Sequence, residues 1–250
     1  MSLSSRIQNV NFDVLRFRPE QDREPIWQRY EVPCKPDWVV LDALNYIKDE
    51  IDPTLSHRWS CRMGVCGSCS MMVNGLPKLT CSAFVRGYEG AIRVAPLANF
   101  PIVRDLVVEL ESFLRKLKSV KPWIIRKLEK DVQHGEYLQS PQELETYKQF
   151  TMCINCALCY AACPVFAHDT DFIGPAAIAL AFRYNQDTRD EGEAERFEIL
   201  NRHEGVWSCS YANECSEVCP KHVDPAAAVN RSKLLTALQW ARVLPRRGAS

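Results

Sequence analysis

The sequence lacks any excess of charge: Lys and Arg number 31 together, and so do Asp and Glu. Without a basic field there is little to gain on a phosphate backbone, so no nucleic acid is expected as a partner. No apolar run approaches the ~20 residues of a membrane span; the longest, such as Ala176 to Phe182, are short. Met1 to Val10 is polar, so neither a secretory leader nor a transit segment is expected. Repeats of about 20–50 residues and low-complexity tracts are also missing. Hydrophobic residues at 46% and charged residues at 25% describe an ordinary globular composition. A length of 250 residues suits two modest cores.

What stands out is cysteine, present 12 times. Disulfides are the wrong expectation for a chain without an export signal, because reducing compartments disfavour them. Scattered core thiols do not explain the clustering set out below.

The first part alternates with period two at Val10, Phe12 and Val14, and again at Ile26, Gln28, Tyr30 and Val32. This predicts two strands joined by a turn around Pro19 to Pro25. Leu41, Leu44, Ile47 and Ile51 recur at helical spacing until Pro53. Ser70 to Val73 and Leu76 to Leu79 flank Asn74-Gly75, a two-residue hairpin signal. Ile92 and Val94 add a short strand. From Leu106 the pattern turns helical, with Leu106, Leu110, Phe113, Leu114 and Leu117 on one stripe ending before Pro122. Residues 126–139 are polar and read as a connector. Ser140, Pro141 and Glu143 form a capping-box start. Gly174-Pro175 and Asp224-Pro225 open two more helices, the second carrying Val229, Leu234 and Leu238. The expected class is α+β, with a mixed domain over 1–105 and an all-helical one over 106–250.

Cys61, Cys66 and Cys69 have C-x4-C-x2-C spacing, with Cys81 beyond the hairpin. This is the plant-type spacing for a [2Fe–2S] cluster. Wrapping several thiolates on one tight loop demands sharp bends, which Gly64 and Gly67 permit. Structural zinc is the alternative, but it usually sits on two short knuckles rather than such a triplet.

Cys153, Cys156, Cys159 and Cys163-Pro164 form C-x2-C-x2-C-x3-C-P, the bacterial ferredoxin run whose fourth cysteine serves a second cluster. The second copy is Cys209, Cys215 and Cys219-Pro220, with Ala212 where its middle cysteine belongs. The crossing rule gives Cys153, Cys156, Cys159 and Cys219 to a [4Fe–4S] cluster. Cys163, Cys209 and Cys215 remain, a set suited to [3Fe–4S] unless water or an exogenous ligand completes a cubane. Cys34 lies outside every motif and is read as a free thiol without a role.

With those residues in view, the chain resembles the iron–sulfur subunits of the succinate dehydrogenase and fumarate reductase family, closest to the bacterial fumarate reductase type. The likeness runs from about Phe12 to Lys233. It includes Arg58 to Met63, Asn99-Phe100-Pro101-Ile102 with Arg104-Asp105-Leu106, Phe172 to Ala176 and Cys215 to Pro225. It implies a β-grasp, plant-type ferredoxin-like domain followed by a helical two-cluster ferredoxin domain. It also implies a flavoprotein partner bearing FAD, membrane anchor subunits, and a peripheral position on the cytoplasmic face of the bacterial inner membrane.

On that likeness electrons pass flavin, [2Fe–2S], [4Fe–4S], [3Fe–4S], quinone. The likeness implies that the chain is a subunit of a succinate:quinone oxidoreductase and does not act on succinate by itself. The family's quinone contacts fall here on Pro164, Ser210, Asn230 and Lys233. Lys233 resembles the lysine of menaquinone-using fumarate reductases, while Ser210 and His168 depart from the ubiquinone pattern. Asn230 stands where the fumarate reductase type tends to have glutamine. His57 and His203 are assigned core or surface roles, and Phe166 and Trp207 are expected to shield clusters. The rival functions are service to a different flavoprotein and a zinc-binding interaction module.

Overall fold

The period-two stretches become β1 (Gln8–Arg16) and β2 (Ile26–Cys34), antiparallel in register from Gln8 opposite Cys34 to Arg16 opposite Ile26. The structure is a computed structural model that describes residues 7–131, 133 and 135–241. Asn74 and Gly75, both at positive φ, turn β3 (Ser70–Val73) into β4 (Leu76–Leu79) as a tight hairpin. β5 (Ile92–Ala95) pairs parallel to β1 and antiparallel to β3. The five-stranded order is β2-β1-β5-β3-β4, a β-grasp sheet.

Helix α1 (Val40–Tyr46) continues as a wider turn over Ile47–Ile51. Its Leu44 and Ile47 join Phe12, Val14, Val32, Met71, Val73, Ile92 and Val94 in one core. Buried apolar area of this kind is the main favourable term in the domain.

Arg16 ends β1 inside that core, at 1% exposure. Its Nε donates to Asp105 Oδ1 at 2.9 Å and its Nη1 to Asp52 Oδ2 at 2.5 Å. Asp105 also accepts the backbone N–H groups of Phe17 and Ser56. Leu106 N–H in turn bonds Ser56 O at 3.2 Å. One buried guanidinium therefore fixes the chain at Ser56, just ahead of the first cysteine loop.

The stripe from Leu106 does not begin a helix. A small ribbon, β6 (Ile102–Arg104) and β7 (Val107–Val108), takes that place, and helix α2 runs only over Glu111–Ser119. Leu106 and Val108 are buried, and Leu106 belongs to the first core. Packing into the sheet domain outweighs a stripe that also suits a helix. Leu114, expected inward, is 56% exposed.

The chain divides into two units: one runs to Leu110 and adds Ile154–Ala162, and the other takes Glu111–Cys153 and resumes at Cys163. The expected division was 105/106. The observed one falls later because 102–108 stays with the sheet.

In the second unit Ser140 caps α3 (Pro141–Glu145), accepting Glu143 N–H while the Glu143 carboxylate accepts Ser140 N–H. Helix α5 spans Pro164–His168, α6 Pro175–Gln186, α7 Glu193–Leu200, α8 Glu214–Glu217 and α9 Pro225–Trp240. Within the first unit's added segment lies α4 (Leu158–Ala161). Asp224 caps α9 through Ala227 N–H at 2.9 Å. Alanines let α6 lie close to α9, where Ala179, Phe182, Val223 and Ala228 pack with Phe150. Arg196, fully buried, pairs with Asp190 and donates to the carbonyls of Lys121 and Trp123. Among the described residues no helix is long and apolar enough to cross a membrane.

Replacing Asp105 with Ala leaves Arg16 with Asp52 as its remaining carboxylate and strips the acceptor from the Phe17 and Ser56 N–H groups, so the first unit should lose about 1–3 kcal/mol for each group left unpaired. Denaturant unfolding of the whole chain under anaerobic conditions reads this; an unmoved midpoint contradicts it.

Candidate functional site

The loop between Ser60 and Ser70 is shaped by three left-handed residues, Arg62 (φ 59), Gly64 (φ 68) and Gly67 (φ 73). Such bends turn backbone N–H groups inward. Met63 and Val65 donate to Cys61 Sγ at 3.4 and 3.5 Å, and Cys61 N–H donates to Cys66 Sγ at 3.5 Å. That N–H, followed by the donors of Ser68, lowers the Cys66 thiol to about 6.

Cys69 lies deeper, and burial pushes its thiol up to about 11, although the Cys81 N–H works the other way. The hairpin delivers Cys81 on the turn after β4. There the Thr80 N–H and hydroxyl both bond the Cys69 carbonyl, at 3.1 and 3.0 Å. The thiols of Cys69 and Cys81 lie within hydrogen-bonding reach. Soft thiols ringed by N–H donors suit an iron–sulfur cluster.

Farther along, Cys156 and Cys159 lie on the segment belonging to the first unit, and Cys153 and Cys219 on the second. Cys153 and Cys219 both pack against the cluster around Phe150 and Phe182.

Cys163, Cys209 and Cys215 gather within the second unit. Burial and then the charges of Cys163 and Cys209 raise the Cys215 thiol to about 12. Cys163 is raised as well, mainly by burial, with Cys209 adding to it. Its Sγ accepts the Phe166 N–H at 3.4 Å from the first turn of α5.

The two cysteine runs share a backbone. Cys156 stands between left-handed Asn155 (φ 54) and Ala157 (φ 62), and Ala212 between left-handed Tyr211 (φ 64) and Asn213 (φ 66). Each right-hand neighbour opens a one-turn helix, α4 or α8. Ala212 therefore occupies a cysteine's place without a cysteine's sulfur. Among the described residues no group of three or more His, Cys, Asp or Glu is drawn close enough to hold one metal ion.

Pro164, Ser210 and Asn230 are exposed, while Lys233 is half-buried. Lys233 Nζ donates to the Cys209 carbonyl at 2.9 Å and stands 4.5 Å from the Tyr211 ring centroid. Lys233 is thus tied to a cysteine loop rather than free on the helix surface. Asn230 shares helix α9 with it.

Phe166 is buried as expected, but Trp207 is 48% exposed, its indole N–H drawn outward to Asn201 Oδ1. That correction follows from a polar handle satisfied at the surface. His57 meets Asn45 Oδ1 at 2.9 Å, and burial, then the Lys48 charge, lowers it to about 4. His203 is exposed. Cys34 is buried, with its thiol raised to about 11.

Asn99, part of the Asn99-Phe100-Pro101-Ile102 signature but given no role from the sequence, is left-handed at φ 67. Its side-chain N–H groups bond the carbonyls of Tyr160 at 3.0 Å and Ala161 at 3.1 Å. An asparagine before Phe-Pro was its only signal.

Comparison with known proteins agrees with this geometry. Residues 11–115 match the family model described as a 2Fe-2S iron-sulfur cluster binding domain, and residues 149–223 that of a 4Fe-4S dicluster domain. The chain is 56% identical over 229 residues to the fumarate reductase iron-sulfur subunit of Mycobacterium tuberculosis, covering 91% of this chain and 93% of that one. It is 53% identical over 241 residues to the fumarate reductase iron-sulfur subunit of Haemophilus influenzae, covering 92% and 94%. A solved structure, the Mycobacterium smegmatis Sdh1 complex in the apo form, contains a chain that superposes with a TM-score of 0.80 at 28% identity. That match covers 93% of this chain and 97% of the other.

The thiol environments predict an order of reactivity in cluster-free protein. At pH 7 the Cys66 thiol, lowered to about 6, is mostly thiolate, whereas Cys69 at about 11 and Cys215 at about 12 stay protonated. Alkylation mapped by mass spectrometry should mark Cys66 well before those two and slow as pH falls below 6. Equal labelling of the three contradicts the assignment.

Proposed function

This chain belongs to the family of iron–sulfur subunits of fumarate reductase and succinate dehydrogenase, and on that premise we propose that it relays electrons between the FAD of a flavoprotein subunit and a quinone. The flavin side exchanges electrons in pairs and the quinone collects a pair, so a one-electron relay must lie between. Iron–sulfur clusters, when bound, supply that one-electron chemistry.

The observation that carries this reading is the spacing of eleven cysteines, a plant-type set followed by two ferredoxin runs that differ in one respect, the alanine at 212. Cys61, Cys66, Cys69 and Cys81 hold [2Fe–2S], supported by the N–H groups turned onto their sulfurs. Cys153, Cys156, Cys159 and Cys219 hold [4Fe–4S], an assignment resting on the crossing of the two runs. Cys163, Cys209 and Cys215 hold [3Fe–4S], supported by the mutual influence of their thiols and by the methyl group in the fourth place.

No side chain here acts as acid, base or nucleophile on succinate. The chain's own work is to bind, to exclude water with residues such as Phe166, and to hold sulfur at fixed positions. Membrane anchor subunits would keep it at the cytoplasmic face of the inner membrane.

At the quinone end Pro164, Ser210, Asn230 and Lys233 form the contact set. Lys233 spends one of its three N–H donors on the Cys209 carbonyl. The remainder of its charge is available to a reduced quinone, and menaquinone is the fitting type.

Purified anaerobically, the assembled complex should contain iron for all three clusters, and air oxidation should give the near-isotropic spin signal of a three-iron cluster. Ala212→Cys should replace that signal by one of a four-iron cluster, because the backbone at 212 already matches that at Cys156. Zinc in place of iron, or an unaltered signal in the variant, refutes the assignment. Lys233→Ala should raise the KM for menaquinol severalfold while all cluster signals persist; an unchanged KM removes Lys233 from the quinone site.

A further inference from the structure

We propose that Gly67 and Asn99 are positioning residues that set the electron-hop distance between the loop of Cys61–Cys69 and the segment bearing Cys156 and Cys159. The inference rests on the cluster assignments proposed above. The contacts it is argued from lie within the first unit, because Ile154–Ala162 belongs to that unit.

A side chain at position 67 has nowhere to go. A Cβ built on Gly67 would stand 2.9 Å from both Cα and Cβ of Cys156 and 3.0 Å from the Ile154 carbonyl oxygen. Two of those three atoms are backbone, so a flexible neighbour cannot simply swing aside. Left-handed φ alone does not explain the glycine. Arg62 in the same loop adopts φ 59 and Asn155 on the facing segment φ 54, each with a full side chain. What position 67 requires is close approach of one backbone to another. Gly67 lies between Cys66 and Cys69, so the contact joins one thiol loop directly to a cysteine of the next.

The other end of the segment is held by a side chain. Asn99 has two amide hydrogens, and they reach the carbonyls of Tyr160 and Ala161, just past Cys159 at the end of α4. Phe100 adds a ring contact, its centroid 6.4 Å from that of Tyr160. The segment is thereby seated at Cys156 by a missing side chain and beyond Cys159 by a donating one.

The step concerned is transfer of a single electron: one centre is oxidised, the other reduced, and no bond or proton moves. Its rate falls steeply with distance, so a contact without a side chain between the loops acts on rate rather than on cluster binding.

The test uses the assembled complex. Gly67→Ala should push the facing backbones apart, and Asn99→Asp, similar in shape and also tolerant of left-handed φ, removes the amide donors. In each variant the spin–spin coupling between the two reduced centres should weaken and electron arrival at the second should slow severalfold, with both spin signals at full intensity. Should Gly67→Ala fail to hold its first cluster, Asn99→Asp reads the same quantity with the loop of Cys61–Cys69 untouched. Coupling and rate equal to those of the unaltered chain in a variant holding both clusters overturn the proposal. Unaltered protein that holds both clusters without measurable coupling overturns it too, whereas unaltered protein without the clusters overturns the functional reading beneath it.

Discussion

Gathering several sulfurs that must carry negative charge is electrostatically uphill, and inward-turned backbone N–H groups are what offset it here. In the first loop left-handed Arg62, Gly64 and Gly67 bring N–H groups onto Cys61 and Cys66, and at Cys163 the first turn of α5 supplies the Phe166 N–H. Where the N–H groups reach a partly exposed thiol, as at Cys66, ionisation becomes easy. Where burial dominates, as at Cys69 and Cys215, the thiol keeps its proton until something else supplies positive charge. On the proposed cluster assignments iron supplies it, which would couple thiol deprotonation to cluster binding at these buried positions.

Such loops have little hydrophobic interior of their own and depend on what anchors their ends. In the first unit the anchor is the buried Arg16 with Asp52 and Asp105, which ties the approach to Cys61 back to the sheet. The second unit holds its own buried arginine, Arg196, paired with Asp190 and donating to the carbonyls of Lys121 and Trp123. Both guanidiniums satisfy several acceptors at once, as a buried charge requires. Each unit thus carries a buried arginine clamp that satisfies a charge inside an apolar core.

Much of this was legible in the sequence, because period and spacing have direct physical meaning. Alternation at Phe12 and Val14, Asn74-Gly75, the Ser140 capping box and the Pro-led starts of α6 and α9 all correspond to the elements observed. The cysteine spacings marked the thiol groups, and the sheet and helical domains match the architecture expected. What was illegible depended on distant partners. Leu106 fits a helical stripe and a sheet core equally well until packing decides between them. The roles of Arg16, Asp105 and Asn99 lie in contacts across dozens of residues, which no local pattern records. Trp207 reads as a shield by its size, yet its indole N–H takes it to the surface.

The allocation of Ile154–Ala162 to the first unit has a consequence for biosynthesis. A chain emerging from the ribosome exposes the sheet, the hairpin and the first thiol loop long before the segment that covers Gly67 and satisfies the carbonyl-seeking amide of Asn99. Domains usually complete themselves in order as they are made, but this one must wait until residue 162 is free of the exit tunnel. Its amino-terminal half is thus unfinished for as long as it takes to translate the connector and the first cysteine run, and through that interval the loop of Cys61–Cys69 stays uncovered.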